Sequence, residues 1–370
     1  MTIARQASTE DQEGIKGREA DPDRHEGGQS IMQASRKLLR YLRIFYRWQV
    51  RKDLILDYLP EEISVEVTNV CNFKCAFCPQ SDPKHHELVP RSYLSPAEAE
   101  KILSKLRSGG VKTETVHWTL DGEPFMNKHF HELCAVAIAY NFKSMYFATN
   151  GMLLTDDVLA QLPKGLGVRY TFTIDFAADT DYFEKVRGTK NSWERIRSNI
   201  QNILDSNDWK HIYIEVSDIS TYQFSDQEEV QERFKRLRTV FQDPHGRLQI
   251  FSKTFHNATG LVSKLVSKTS EKRYHICPYP WTSLFVASNG DVVACCRDLR
   301  RQTVLGNLMR QNLAEIWNSE AFQALRANLV MRHPEKSTAC NGCDLPYDDA
   351  KFSWKNMVRA AQGRFQIFGR

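Results

Sequence analysis

Three cysteines fall within eight residues, Cys71-Asn72-Phe73-Lys74-Cys75-Ala76-Phe77-Cys78. Spacings of four and three let one loop present three thiolates to a single small inorganic centre. The stretch offers no fourth ligand. Structural zinc takes four protein ligands in a tetrahedron and fits such a set poorly. An iron–sulfur cube fits better, because thiolates then hold three irons and leave the fourth open to a substrate-like ligand. A second set lies far downstream. Seventeen residues separate Cys277 from Cys295, and two separate Cys340 from Cys343. Those four thiolates can close a centre completely, either as a second cube or as a zinc ribbon. Cys296 adjoins Cys295, and spacing alone permits either as the ligand. Cys134, in the apolar stretch His131–Ala139, reads as a small buried hydrophobe.

The elements that must position these groups alternate. Strands are expected at Ile63–Thr68, Thr115–Leu120, Ser144–Thr149, Arg169–Asp175, His211–Ser217 and Arg247–Phe251. Between them, helical patterns run over Ser95–Leu106, His129–Tyr140, Thr155–Gln161, Trp193–Asp205 and Gln227–Phe241. Strand–helix alternation implies a parallel sheet with right-handed crossovers, here an α/β partial barrel of six units. The first cysteine cluster directly follows the first strand, where the loops of such barrels build their sites. After residue 255 the rhythm changes to a Lys/Ser-rich stretch, Ser263–Lys272, and a hairpin around Ser288-Asn289-Gly290-Asp291. A helix is expected over Leu313–Leu329, followed by Cys340-Asn341-Gly342-Cys343. The domains expected are a disordered tail at 1–32, a basic amphipathic helix at 33–60, the barrel at 61–262, a small cysteine-rich domain at 270–346 and a tail at 347–370.

The cysteine spacing after the first strand of a partial barrel resembles the radical S-adenosylmethionine superfamily. Further segments match in order: Gly122-Glu123-Pro124, Thr149-Asn150-Gly151, Thr173-Ile174-Asp175 and Arg187-Gly188. The resemblance implies a (β/α)6 TIM-like barrel and a [4Fe–4S] cluster on Cys71, Cys75 and Cys78. It implies S-adenosylmethionine chelated by the open iron, with Phe77, Gly122, Glu123, Pro124, Asn150, Thr173, Asp175 and Arg187 around it. Phe176 stands where the family has a glycine. The downstream set, together with Pro278-Tyr279-Pro280-Trp281, Leu305-Gly306-Asn307 and Glu315-Ile316-Trp317-Asn318, resembles the auxiliary-cluster module called SPASM or, when shortened, twitch. The cysteine count implies one auxiliary [4Fe–4S] cluster, on Cys277, Cys295, Cys340 and Cys343. The implied activity is reductive cleavage of S-adenosylmethionine to a 5′-deoxyadenosyl radical, then hydrogen-atom abstraction from substrate. A fully thiolate-bound second cluster suits electron transfer, so a two-electron oxidation of a sugar or cyclitol is the reading taken. A radical peptide-modifying enzyme, a redox-neutral epimerase or mutase, and a non-catalytic iron–sulfur or zinc scaffold are the alternatives. Such an enzyme implies an external one-electron donor such as flavodoxin or ferredoxin. No catalytic base is assigned; Asp218, Tyr222, His256, Arg297 and Asp298 are the polar groups expected near the pocket.

Composition is consistent with this reading. The 370 residues are 41% hydrophobic and 26% charged, ordinary for globular domains, and no apolar run is long enough to cross a bilayer. Nine cysteines without an export signal point to metal or redox use rather than a disulfide framework, and to the cytoplasm. The net charge of +5 is local in origin. Seven basic and no acidic residues lie between Arg36 and Lys52, whereas residues 53–370 are nearly neutral. Nothing there calls for nucleic acid. In the basic helix Leu38, Leu42 and Phe45 share a face, extended by Tyr41 and Trp48. The expectation is a helix packed on the body with its arginines in solvent, with contact to an anionic membrane surface or a phosphorylated substrate as the alternative.

Overall fold

The computed structural model describes residues 39–347 apart from 41, 225, 254 and 263–272. The acidic segment 1–32, the Lys/Ser-rich stretch and residues 348–370 lie outside the described residues, as do Leu38 and Tyr41.

Six parallel strands form the barrel wall: β1 (Glu62–Val65), β2 (Thr115–Trp118), β3 (Ser144–Thr149), β4 (Arg169–Phe176), β5 (Ile212–Asp218) and β6 (Leu248–Ser252). Each lies within a few residues of its expected place, because alternation between faces is strong there. One face of each of β1 to β5 carries large apolar groups: Ile63 and Val65, Val116 and Trp118, Met145 and Phe147, Phe172 and Ile174, Ile214 and Val216, all essentially without solvent exposure. This face packs in the same core as the crossover helices, through Ile102, Leu103 and Leu106 of Pro96–Ser108 and Ile196, Ile200 and Ile203 of Trp193–Asp205. Burial of each such side chain stabilises by about 1.5–3 kcal/mol. Ser95 starts the first helix with a reciprocal capping box to Glu98. A helix at Thr180–Arg187 was not expected; Asp179 caps it through Tyr182 N, and Gly188 ends it in the left-handed region. Cys134 is fully buried in the core, as expected.

The cysteine-rich part does not stand apart from this wall. Its hairpin strand β7 (Ser283–Val286) pairs in parallel with β1, in register from Glu62–Ser283 to Val65–Val286. Then β8 (Asp291–Val293) and β9 (Val304–Asn307) extend the same sheet antiparallel. The sheet runs β6-β5-β4-β3-β2-β1-β7-β8-β9 and is open. The parallel β1–β7 pair joins residues more than two hundred positions apart.

Two expectations are corrected. The helix expected over Leu313–Leu329 is two helices, Leu313–Trp317 and Glu320–Val330. Ser319 breaks the run by accepting from Phe322 N and capping the second. The basic helix expected to reach residue 60 ends at Val50, in a π-helical turn over Tyr46–Val50, and Lys52 follows with φ of 57°. Residues 51–60 are instead a strap tied down by long-range bonds. Trp281 Nε1 donates to Asp53 O at 2.7 Å, Trp317 Nε1 to Tyr58 O at 2.8 Å, and Arg326 Nη1 to Leu54 O at 2.8 Å. In the helix Ile44 and Trp48 are buried, Phe45 packs beside them, and Leu42 is exposed. Its arginines are matched internally: Arg40 with Glu61, Arg43 with Asp57, Arg47 with Asp53 and Asp57. The arginines are thus ion-paired rather than simply solvated, while burial of Ile44 and Trp48 packs the helix on the body. Among the described residues no helix is long and apolar enough to cross a membrane.

Candidate active site

The loop after β1 carries Cys71, Cys75 and Cys78, and the Thr180–Arg187 helix and the turn after β2 hold it by backbone contacts. Ala76 N donates to Val186 O and Glu123 N to Val70 O, both at 2.8 Å. Two glycines make the close approaches possible. Gly188 has φ of 61°, and a Cβ there would lie 2.1 Å from Lys74 O. Gly122 has φ of 72°, and its Cβ would lie 2.3 Å from Thr68 O. Neither gap admits a side chain. Burial pushes the Cys71 thiol up to about 12, and Cys75 and Cys78 are also raised, chiefly by burial. Thiols in so dry a place ionise only with a compensating cation, which an iron centre provides.

Around the loop stand the groups expected from the motifs. Glu123 is buried, and its carboxylate accepts from Thr149 Oγ1 at 2.7 Å, Asn150 N at 2.6 Å and Phe125 N at 3.3 Å. Pro124 opens a single 3-10 turn behind it. Asn150 Nδ2 donates to Asn72 Oδ1 at 2.7 Å, tying the end of β3 to the cysteine loop. At the end of β4, Asp175 accepts from Arg187 Nη1 at 3.3 Å and from Lys253 Nζ at 2.5 Å. Arg187 is buried and acts electrostatically on Cys75, Asp175, Cys71 and Glu123. Its Nε has no hydrogen-bond partner among the described residues. Phe77 packs against Tyr222 and Phe255, with ring centres 5.6 and 4.9 Å away, and Lys253 Nζ lies 5.2 Å from its centre. Thr173 lies one pleat below Asp175, and its hydroxyl donates to Glu215 Oε2 at 2.9 Å. A buried arginine with an unused donor, a carboxylate held by fixed donors and an aromatic face are suited to an amino acid joined to a base.

The second thiol set lines one cavity. Cys277, Cys295, Cys340 and Cys343 meet there with Tyr279, Ala294, Leu325, Leu329 and Ala339, among others. Cys296 is not part of that lining; its thiol interacts with Tyr279. Among the described residues no three such side chains form a group suited to a single metal ion. The four thiols surround a space, the arrangement a multi-iron cube requires. Arg297 is buried beside the set and pairs with Asp344 at 2.7 Å.

Of the other polar groups expected near the pocket, Asp298 is a turn-former accepting from Gln302 N and Thr303 N. Asp218 accepts from the Ser220 amide and hydroxyl. Tyr222 donates to Ala76 O at 2.9 Å, and His256 Nδ1 accepts from Ala258 N at 3.1 Å. Sequence reasoning missed a buried network behind Cys78. Gln80 Nε2 donates to Asp121 Oδ1 at 2.7 Å, and His85 Nε2 lies 2.9 Å from Asp121 Oδ2. It also missed Lys253. Asp121 stands next to Gly122-Glu123-Pro124, the one signal that pointed toward it; Lys253 carried none.

Residues 65–214 match the radical SAM superfamily, and residues 277–344 match SPASM, an iron–sulfur cluster-binding domain. The chain carries a radical S-adenosylmethionine domain followed by a SPASM domain. It is similar to the S-adenosyl-L-methionine-dependent 2-deoxy-scyllo-inosamine dehydrogenase of Niallia circulans, at 22% identity over 78% of this chain and 94% of that relative. It also resembles the sporulation killing factor maturation protein SkfB of Bacillus subtilis strain 168, at 27% identity over 41% of this chain and 34% of that relative. Among solved structures, BtrN in complex with AdoMet and 2-DOIA aligns with a TM-score of 0.55 at 21% identity, covering 78% of this chain and 94% of that one. AnSMEcpe with bound AdoMet aligns with a TM-score of 0.51 at 13% identity, covering 82% and 96%. Those likenesses establish the open-barrel fold. A radical SAM domain binds a [4Fe–4S] cluster and S-adenosylmethionine, and SPASM domains bind auxiliary iron–sulfur clusters, so this chain is a radical SAM enzyme with both.

Proposed function

We propose that this enzyme carries out a two-electron oxidation of a secondary alcohol on a cyclitol, sugar or related small molecule. The observation that carries the reading is the second thiol set. Four cysteines line one cavity in a domain whose sheet is continuous with the barrel wall. A set of four protein thiolates saturates a cube and leaves no iron for substrate, which suits an electron acceptor. The similarity to a 2-deoxy-scyllo-inosamine dehydrogenase, over 78% of this chain and 94% of that relative, supports the same reading. In this proposal Cys71, Cys75 and Cys78 hold the first cluster, and Cys277, Cys295, Cys340 and Cys343 hold one auxiliary [4Fe–4S] cluster.

When bound, these groups supply a carbon radical that takes a hydrogen atom from substrate and an acceptor that takes one electron; with loss of the hydroxyl proton, the alcohol becomes a ketone. The chain's own residues orient and shield. Glu123, held by Thr149 and Asn150, accepts from the methionyl amine, flanked by Gly122 and Pro124. Arg187, through its unused Nε and its fork, faces the carboxylate. Phe77 covers the adenine, and Asn150, Asp175 and Thr173 border the ribose side. Burial of Glu123 and Arg187 excludes water from the reacting centre. Electrons enter from an external donor of the flavodoxin or ferredoxin kind, and we place the enzyme in the cytoplasm. The test uses anaerobically reconstituted protein with 2-deoxy-scyllo-inosamine deuterated at its carbinol carbon. Deuterium is expected in 5′-deoxyadenosine alongside a ketone product. Deuterium transfer with an epimerised alcohol instead would replace oxidation by a redox-neutral reaction.

A further inference from the structure

Beside the auxiliary thiols lies a buried charge that the cysteine assignments leave unexplained. Arg297 follows Cys295 closely in the chain and keeps only 4% side-chain exposure. Its Nη1 donates to Asp344 Oδ1 at 2.7 Å, and Asp344 directly follows Cys343. The guanidinium also reaches the Cys343 thiol. Burial works against its charge, whereas Cys343, then Tyr279 and Asp344, favour it. That charge acts on Cys277 as well. Apart from the four thiols and Tyr279, the residues lining the thiol cavity are apolar. Asp298 acts on Cys295 and Cys340 with the opposite sign, and its carboxylate is engaged by Gln302 N and Thr303 N. A single carboxylate is a thin complement for an arginine this dry, and a centre held by four thiolates supplies further negative charge beside it.

The pair is fixed from the barrel side. Asn257, shortly past the end of β6, is fully buried. Its backbone N donates to Asp344 Oδ2 at 2.9 Å and its Nδ2 to Gly342 O at 2.6 Å, while Asp344 N donates to Asn257 Oδ1 at 3.3 Å. One oxygen of Asp344 is thus held by Asn257 and the other by Arg297. Directly after Asn257, Ala258 and Thr259 have φ of 46° and 59°. Left-handed backbone is costly for residues with a side chain, most of all for a β-branched one. Such strain persists only where surrounding contacts over-determine it, and the bonds from Asn257 to the turn around Gly342 do so here. The segment is therefore bent to bring Asn257 against the Cys340–Cys343 turn, where it sets the carboxylate that sets the guanidinium.

We propose that Arg297, clamped by Asp344 and Asn257, is the positioning residue that fits the auxiliary centre to accept an electron, by stabilising its reduced form. The proposal rests on the oxidoreductase reading and deepens it. In that reading hydrogen-atom loss leaves a carbon radical bearing a hydroxyl. One electron passes from the radical to the auxiliary centre, the hydroxyl proton passes to water, and the carbon–oxygen bond becomes a carbonyl. The centre, reduced by one electron, hands it to the external one-electron carrier. A cube on four thiolates is anionic, and the added electron makes it more so. A buried cation against one of those thiolates favours the reduced form over the oxidised one, and Asp344 offsets part of that effect.

The test is a reductive titration of the anaerobically reconstituted full chain, followed by electron paramagnetic resonance without S-adenosylmethionine or substrate. The parent should show two one-electron steps, and the step missing from the Cys340→Ala/Cys343→Ala variant belongs to the auxiliary centre. At the parent's midpoint for that step, Arg297→Met should lower the ratio of reduced to oxidised centre about tenfold, the loss of one charge-assisted bond. Asp344→Asn keeps an acceptor for Arg297 and removes the opposing charge, so it should raise the ratio. The first cluster's step should stay in place in both. A merely structural clamp would not move the potential in opposite directions in the two variants. The proposal is overturned if Arg297→Met leaves the ratio unchanged or raises it, or if Asp344→Asn leaves it unchanged or lowers it. If Arg297→Met loses the auxiliary iron, the displacement in Asp344→Asn decides; loss of that iron in both variants makes the pair a structural clamp and also overturns the proposal. Absence of any step that depends on Cys340 and Cys343 would overturn the four-thiolate assignment itself, an outcome distinct from a cluster whose potential does not respond to Arg297.

Discussion

At the residue scale, the site depends on a few atoms that cannot be exchanged. Gly188→Ala would place a Cβ against Lys74 O in a conformation that costs a non-glycine residue about 1–2 kcal/mol before the clash is counted. The cysteine loop has to shift in response. The expected outcome is a lowered melting temperature together with loss of iron from the first cluster, read by iron analysis and the charge-transfer absorbance. Glu123→Gln keeps the shape and removes the charge. Its donors, the Asn150 amide and Thr149 hydroxyl, remain, but one acceptor becomes an NH2 facing a donor. Iron content should stay at the parent level while S-adenosylmethionine binds about tenfold more weakly, the loss of one charge-assisted bond. Parent-like binding in a titration would remove Glu123 from the amine contact. The cysteines and Glu123 were legible in sequence because their types and spacing are rare. Gln80, His85, Asp121 and Lys253 were not, because single polar residues carry no spacing signal and only the fold brings them together.

At the scale of elements, periodicity revealed the strands and crossover helices, since buried faces repeat every two or 3.6 residues. Local periodicity says nothing about which distant strand pairs with which, so the β1–β7 junction was invisible. The short helix before Gly188 had its signals in Asp179 and Gly188, and its length hid them. The basic run up to Lys52 suggested one long helix. The structure ends it at Val50 because the following strap finds better partners in Trp281, Trp317 and Arg326. Trp48 anchors the helix and is almost fully buried. Trp48→Ala should therefore cost about 3–5 kcal/mol, seen as a lower denaturant midpoint with unchanged slope. A silent substitution would mean that the helix is peripheral and would favour its use on a membrane surface or partner.

At the scale of the whole molecule, the two halves are joined by more than the shared sheet. Glu66, buried at the end of β1, accepts from Ser288 N at 2.9 Å, Ser288 Oγ at 2.6 Å and Arg301 Nη2 at 2.7 Å. Arg300 pairs with Asp82, just beyond Cys78. Adjacent arginines, a few residues past Cys295, thus grip both the first strand and the cysteine loop. Glu66→Ala removes the carboxylate partner of the half-buried Arg301, which should destabilise the fold by about 3 kcal/mol. The expected signature in thermal unfolding is an earlier or divided transition as the halves lose their coupling. An unchanged single transition would show that β-pairing alone holds them together.

The central claim is that the auxiliary cluster accepts the second electron of an alcohol oxidation. The direct measurement is the ratio of ketone product to 5′-deoxyadenosine, alongside iron and zinc content, in the parent and in the Cys340→Ala/Cys343→Ala double variant after anaerobic reconstitution. Two thiolates are too few to keep a cube, while the first cluster is anchored elsewhere and survives. The account predicts one ketone per 5′-deoxyadenosine in the parent. In the variant it predicts about half the iron, continued cleavage of S-adenosylmethionine and no ketone, since one of two similar cubes is gone. Full ketone formation after loss of that iron, or loss of zinc with iron unchanged, would contradict it.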